Sequence, residues 1–229
     1  MKIVTISPAF NEEGSVGHVV NDIPKDVIDE VVIVNNNSTD NTVEVATKAG
    51  ATVLTETQKG YGIACLKGIR YFEAKPKDDQ PDIVVFIDAD YSDHPDELPK
   101  IIAPILNDDV DMVIGSRALG VKEKGAMMPQ QIFGNWLATT LIRWFYNYEF
   151  TDLGPFRAIK WDKLQQLKME DETFGWTVEM QVKAARHKLK CTEVPVKYRK
   201  RIGVSKVTGT IYGSVMAGYK ILWTIFRYL

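Results

Sequence analysis

Short apolar runs alternate with amphipathic segments along the first half of this chain. The runs at residues 3–6, 31–34, 51–54, 83–87 and 112–114 are short, rich in valine and isoleucine, and predict buried strands. Between them, residues 12–21, 42–49, 61–73 and 96–106 carry apolar positions at helical spacing and predict helices. Regular alternation of the two kinds predicts an α/β fold with a largely parallel sheet and flanking helices. After Arg117 the pattern changes. Residues 120–129 form a charged, glycine-containing loop expected to be mobile. Residues 135–148 form an aromatic-rich helix, 156–159 and 191–196 are further strands, and 176–188 is a helix. No repeat or linker interrupts the chain, so residues 1–229 are expected to form a single domain. Its parts are a nucleotide-binding half at 1–117, an acceptor half at 118–207 and an amphipathic C-terminal helix at 208–229.

Composition narrows this picture without redirecting it. The 229 residues are 45% hydrophobic and 25% charged, an ordinary globular profile. A formal net charge of −2 gives no drive towards nucleic acid. Cys65 and Cys191 sit in apolar surroundings without metal-ligand spacing and read as core residues in a reducing compartment. No signal peptide is read at the start of the chain, and no charge-free apolar run reaches the length of a membrane span.

Candidate chemistry begins at Val84-Val85-Phe86-Ile87-Asp88-Ala89-Asp90, a buried strand ending in two carboxylates one residue apart. If the extended geometry continues, Asp88 and Asp90 project the same way. Two anions that close call for a cation, and Mg²⁺ or Mn²⁺ suits a pair of carboxylates joined by substrate phosphates. The plainer reading is a solvated acidic turn. Polar clusters also follow the other strands, at residues 7–12, 35–40 and 59–62. In open α/β sheets ligands bind outside the carboxyl ends of the strands, so the four clusters predict one cleft. There Pro8 and Phe10 would wall a base, with Glu12 hydrogen-bonding base or ribose. The alternative for these three is a turn and a helix N-terminus favouring an acid. Lys59 and Gly60 would approach a diphosphate through one cation and permissive backbone. Asp40 reads equally as a ligand or as the cap of the following helix.

The order Pro8-Ala9-Phe10-Asn11-Glu12-Glu13, Asn36-Asn37-Ser38-Thr39-Asp40-Asn41-Thr42, Gly60-Tyr61-Gly62 and Asp88-Ala89-Asp90 resembles the family 2 inverting glycosyltransferases. Gly115-Ser116-Arg117, Thr151-Asp152 through Gly154-Pro155-Phe156-Arg157, and Arg199 through Ser205-Lys206 are most similar to the family's synthases of polyprenyl-phosphate sugars. The resemblance covers nearly the whole chain. It implies a GT-A fold, a Rossmann-like nucleotide-binding half, a UDP- or GDP-hexose donor and a Mg²⁺ or Mn²⁺ cofactor. Asp90 would be the first metal ligand, with Asp88 reaching the ribose or a metal-bound water. Asn36 stands, with Asn35, where the family commonly has acids. An amide both donates and accepts while a carboxylate only accepts, so the identity of the base is open.

The acceptor side separates the possible reactions. A hydroxyl acceptor needs a general base, whereas a phosphate monoester, with a second pKa of about 6, arrives ionised and needs cations. Arg117, Arg157, Arg199, Arg201 and Lys206 are the candidates to hold such a phosphate, with Arg117 and Arg199 favoured by their motif positions. Asp152 and Glu179 are the candidates for a base or an acceptor-orienting group, and Arg157 has the plainer role of pairing with Asp152. Residues 183–206 are strongly basic and precede the aromatic, amphipathic C-terminal helix. Two readings of that helix stand side by side: interfacial contact with an anionic membrane, and packing on the core. The main expectation is hexose transfer to a polyprenyl phosphate by an enzyme peripheral on the cytoplasmic face of a membrane. Its rivals are transfer to a hydroxyl on a saccharide, lipid or small molecule, and a nucleotide-sugar-binding module without catalysis. Exposed aromatics near Trp144 or Trp223 would suit a contact between subunits.

Overall fold

The computed structural model describes residues 1–203 and 211–229, with the side chains of 211–214 also left aside. Its seven strands are β1 (Ile3–Ala9), β2 (Glu30–Asn35), β3 (Thr52–Thr55), β4 (Ile83–Phe86), β5 (Met112–Ser116), β6 (Arg157–Lys160) and β7 (Cys191–Pro195). They form one sheet in the order β3-β2-β1-β4-β6-β5-β7. All neighbours are parallel except β6, which runs antiparallel to both β4 and β5. This is the mixed, mostly parallel sheet of the GT-A architecture.

Alternation along the strands sends side chains to two cores. Val4, Ile6, Val84 and Phe86 face a core shared with α3 (Tyr61–Glu73), α5 (Pro129–Tyr146), α6 (Trp161–Leu167), α7 (Trp176–Arg186) and α8 (Ile211–Arg227). Ile3, Val85 and Ile87 face the other core, with α1 (Val16–Asp22), α2 (Thr42–Lys48) and α4 (Leu98–Asn107). Strands buried on both faces are what near-continuous apolar runs build.

Three local expectations are corrected. The first helix begins at Val16 rather than at residue 12. Asn11 is in the left-handed region at φ 53°, and the amides of Asn11, Glu12 and Glu13 are held by Ser38, Thr42 and Asp40 side chains. Those bonds fix residues 11–13 as a loop stapled to the loop after β2. Strand β4 stops at Phe86, so Asp88 and Asp90 lie in the turn that follows it, not on a continuing strand. Helix α6, seven residues that follow β6 without a loop, was not foreseen. The loop expected to be mobile is tied to the chain after β7: Glu123 N donates to Tyr198 O at 2.8 Å and Lys200 N to Glu123 Oε2 at 2.8 Å.

The C-terminal helix packs on the core. Thr224 and Ile225 are buried, and Tyr146 donates its hydroxyl to the Ile225 carbonyl. Its other side stays exposed at Tyr219, Trp223 and Phe226. Among the described residues, no helix is long and apolar enough to cross a membrane.

Candidate active site

The loops after β1, β2, β3 and β4 meet at the carboxyl edge of the sheet, where a cleft of about 430 Å³ opens. That volume lies within the usual range for small-molecule sites, about 300–1,000 Å³. Pro8, Phe10, Glu12, Asn36, Lys59, Gly60, Asp88 and Asp90 all line it, so eight residues selected from the sequence for the donor side come together. Tyr61, Thr173, Phe174 and Arg201 complete the wall. Tyr61 was legible only as the middle of Gly60-Tyr61-Gly62. Thr173 and Phe174 come from the segment before α7, which the strand pattern could not bring to this edge.

Two aspartates form the charged end of the cleft. Asp88 is half-buried and accepts a hydrogen bond from the Tyr61 hydroxyl at 2.8 Å. Burial first, and the negative charge of Asp90 second, push its carboxyl up to about 7. Asp90 has one oxygen fixed by Ser92, whose amide and hydroxyl donate at 2.9 and 2.6 Å. Its other oxygen faces Arg201 Nη1 at 3.3 Å. Among the described residues there is no cluster of three or more metal-ligating side chains. The donor set is therefore two carboxylates, both oxygen ligands, one of which already attracts a cation. That set fits a hard divalent ion that keeps part of its coordination for water and phosphate.

Arg201, assigned from sequence to an acceptor phosphate, stands instead on the donor side. Its Nη2 donates to Glu12 Oε1 at 2.6 Å while Nη1 faces Asp90, and its buried Nε has no partner among the described residues. Glu12 thus meets a guanidinium, with Ser15 donating to its other oxygen.

Two donor-side residues serve the backbone. Asn36 accepts from Gly60 N at 2.8 Å and donates to the carbonyls of Gln58 and Glu56 at 2.6 and 3.3 Å. A carboxylate has no proton for those carbonyls, which explains an amide here. Asp40 accepts from Thr42 and from the Glu13 amide, so the structure favours its capping role over a ligand role. Although burial pushes its carboxyl up, the bonds from Thr42 and Glu13 outweigh this and hold it below its usual value. Gly62, two residues beyond Gly60, serves a close backbone approach. A β carbon on Gly62 would lie 1.9 Å from Asp171 O, and the Gly62 and Ile63 amides donate to Thr173 O and Glu172 O.

In the acceptor half, predicted polar groups mostly engage one another. Asp152 accepts three bonds from Arg117: backbone N at 2.7 Å, Nε at 2.8 Å and Nη2 at 2.7 Å. Burial raises the carboxyl, but Arg117's charge and bonds hold it below the ordinary value. A base must accept a proton, so a carboxylate held ionised in this way is poorly suited to that role. Arg117 keeps a side chain 12% exposed and lies over the Tyr198 ring, 5.0 Å from its centroid.

Glu179 is corrected outright. It is fully buried and accepts from the Glu170 and Asp171 amides, the Tyr228 hydroxyl and Lys183. Arg157 is corrected as well. It is fully buried, donates to the carbonyls of Leu153, Gly154 and Thr177, and burial lowers it to about 10. Neither lines the cleft. Arg199 gives Nε to Tyr91 O and Nη2 to Asp93 O while stacking 3.4 Å from the Tyr91 ring centroid. It clamps the loop after the aspartate pair. Lys206 lies outside the described residues.

Sequence reasoning passed over Asp93. It is 1% exposed, and among the described residues neither carboxyl oxygen has a hydrogen-bond partner. Burial first, then the charge of Asp88, push it well above the carboxylate range. A neutral acid is the form such surroundings favour.

A parallel-rich sheet with an acidic pair at the carboxyl edge of a nucleotide-sized cleft defines a GT-A-type transferase. Residues 5–168 match the family model described as glycosyl transferase family 2, and the chain belongs to that family. It is a glycosyltransferase. It is 29% identical to a UDP-N-acetylglucosamine–dolichyl-phosphate N-acetylglucosaminyltransferase of Methanococcus voltae, over 97% of this chain and 94% of that protein. It is 28% identical to an undecaprenyl-phosphate mannosyltransferase of Micrococcus luteus, over 94% of this chain and 91% of that protein. In fold it is similar to glucosyl-3-phosphoglycerate synthase of Mycobacterium tuberculosis, crystallised with Mn²⁺, UDP and phosphoglyceric acid. The TM-score is 0.76 at 20% identity, covering 99% of this chain and 78% of that one.

Proposed function

We propose that this glycosyltransferase moves a hexose, with inversion, from a UDP- or GDP-sugar to a polyprenyl phosphate. The observation that carries this reading is the engagement of Asp152 by Arg117. With Glu179 buried on backbone amides, neither acid selected from the sequence is free to deprotonate a hydroxyl. An acceptor that arrives already ionised needs no such base. Arg117, held rigid by Asp152 and still partly exposed, supplies a cation for it. The two relatives named for dolichyl and undecaprenyl phosphate lend support.

On the donor side, Pro8, Phe10 and Lys59 take the nucleoside, with Lys59 placed 5.4 Å from the centre of the Phe10 ring. Asp88 and Asp90 hold Mg²⁺ or Mn²⁺, which when bound neutralises the leaving diphosphate. Tyr61 and Ser92 keep the two carboxylates in place. Arg201, beside Asp90, adds positive charge at the same end.

A polyprenyl chain lies in a bilayer, so the enzyme would work at the cytoplasmic face of one. Exposed Phe133, Trp136 and Trp144 on α5 and Tyr219, Trp223 and Phe226 on α8 fit an interfacial contact. The two helices meet at Phe145 and Phe226, with ring centroids 5.4 Å apart.

The test is transfer from a panel of UDP- and GDP-hexoses with Mn²⁺ to polyprenyl phosphate, a soluble phosphate monoester and hydroxyl acceptors. Transfer to polyprenyl phosphate supports the reading. Transfer only to hydroxyl acceptors overturns it.

A further inference from the structure

Among the described residues, an ion pair ties the C-terminal helix to the wall of the donor cleft. Lys220 Nζ on α8 lies 3.0 Å from Asp171 Oδ2, and the Asp171 side chain is only 4% exposed. The other Asp171 oxygen accepts from Thr173 N at 2.7 Å and Gly175 N at 3.1 Å. One buried carboxylate therefore shapes the 171–175 turn and fastens it to α8. The fit is close: a β carbon on Gly175 would stand 2.5 Å from Thr224 Oγ1 of α8.

The same turn is part of the cleft. Thr173 and Phe174 line it. The carbonyls of Glu172 and Thr173 take the Ile63 and Gly62 amides at the start of α3, next to the Tyr61 that holds Asp88. A continuous set of contacts thus runs from α8 through Asp171 to the aspartate pair.

We propose that Lys220 is a positioning residue of the donor site: through Asp171 it sets the turn that carries Thr173 and Phe174, so α8 completes the nucleotide cleft. The inference rests on the donor-site reading above. A buried carboxylate needs a counter-charge as well as hydrogen bonds. Removing the ammonium loosens the turn. Because coupling between sites is reciprocal, a bound nucleotide must in turn steady α8.

Two measurements test this, with UDP and GDP as probes, each with Mn²⁺. In calorimetry, Lys220→Met should weaken nucleotide binding about tenfold, within the usual range of coupling between sites. Its melting temperature should fall, because the Asp171 charge is left uncompensated, and Lys220→Arg should restore both affinity and stability. In hydrogen exchange on the unaltered protein, the nucleotide that binds should slow exchange across α8. Equal affinities in wild type and Lys220→Met overturn the inference and leave the donor site standing. So does α8 exchange that ignores a bound nucleotide, a result that needs no variant to fold. Failure of the wild type to bind either nucleotide overturns the donor-site reading itself, and this inference with it.

Discussion

The two sides of the cleft treat their polar side chains differently. On the donor side, Phe10, Lys59, Asp88 and Asp90 line an open cleft beyond the ends of parallel strands, with Asp90 also facing Arg201. On the acceptor side, Arg157 and Glu179 bond the backbone and Asp152 is taken up by Arg117. The first side gathers its groups around an open cleft. The second holds one rigid cation, Arg117, in a frame of neutralised neighbours. Charge count along a sequence is thus a poor guide to ligand contacts, because ion pairs remove groups from use two at a time.

That contrast can be broken most sharply at Asp90. Asp90→Asn should cost at least about a hundredfold in kcat, the scale of losing a preorganised electrostatic contact. Steady-state transfer assays check it, and near-normal turnover would remove Asp90 from the donor machinery. Next comes Arg157→Met, which strands three backbone carbonyls in the interior. It should lower stability by about 3 kcal/mol in urea unfolding. A stable variant with weakened acceptor binding would put Arg157 back on the substrate.

Asp152→Asn sharpens the comparison further. A base contributes about 10²–10⁴-fold, whereas a group that only steadies Arg117 should cost about tenfold, mostly in acceptor KM. A collapse of kcat at unchanged KM would restore Asp152 as the base.

The smallest effect concerns pH. Asp88 titrates near 7 in the fold against an ordinary 3.8, so between those values the folded protein holds the extra proton. Stability should therefore fall as pH rises from about 4 to about 7. Asp93 is raised in the same direction and adds to the trend. Melting temperatures without added metal should be lower at pH 8 than at pH 5, with a shallower slope in Asp88→Asn. An unchanged slope in that variant would mean that Asp88 keeps its ordinary acidity.

The donor side was largely legible in the sequence because strand ends in a parallel sheet gather on one edge whatever the loops contain. Strand positions were close for the same reason, since buried apolar runs announce themselves. What could not be read was partnership. That Asn36 bonds residues 56–60, that Arg157 ends among carbonyls, and that Arg201 crosses to Glu12 all depend on distances set by the whole fold. Gly62 was readable as permissive backbone but not as the place where the 171–173 segment lies against α3. Asp93 was not singled out in the sequence, since nothing local distinguishes a buried carboxyl from a solvated one.

The reversed strand β6 has a consequence for how the chain assembles. It lies between β4 and β5, and β5 contacts the rest of the sheet only through it and β7. During synthesis, then, β4 keeps a bare apolar edge, and β5 has nowhere to dock, until residues 157–160 emerge. Such an edge invites pairing with other chains. Closure over so long a separation is slow by the usual relation between topology and rate. A nascent chain stalled between β5 and β6 should be the species most prone to aggregate and most dependent on chaperones.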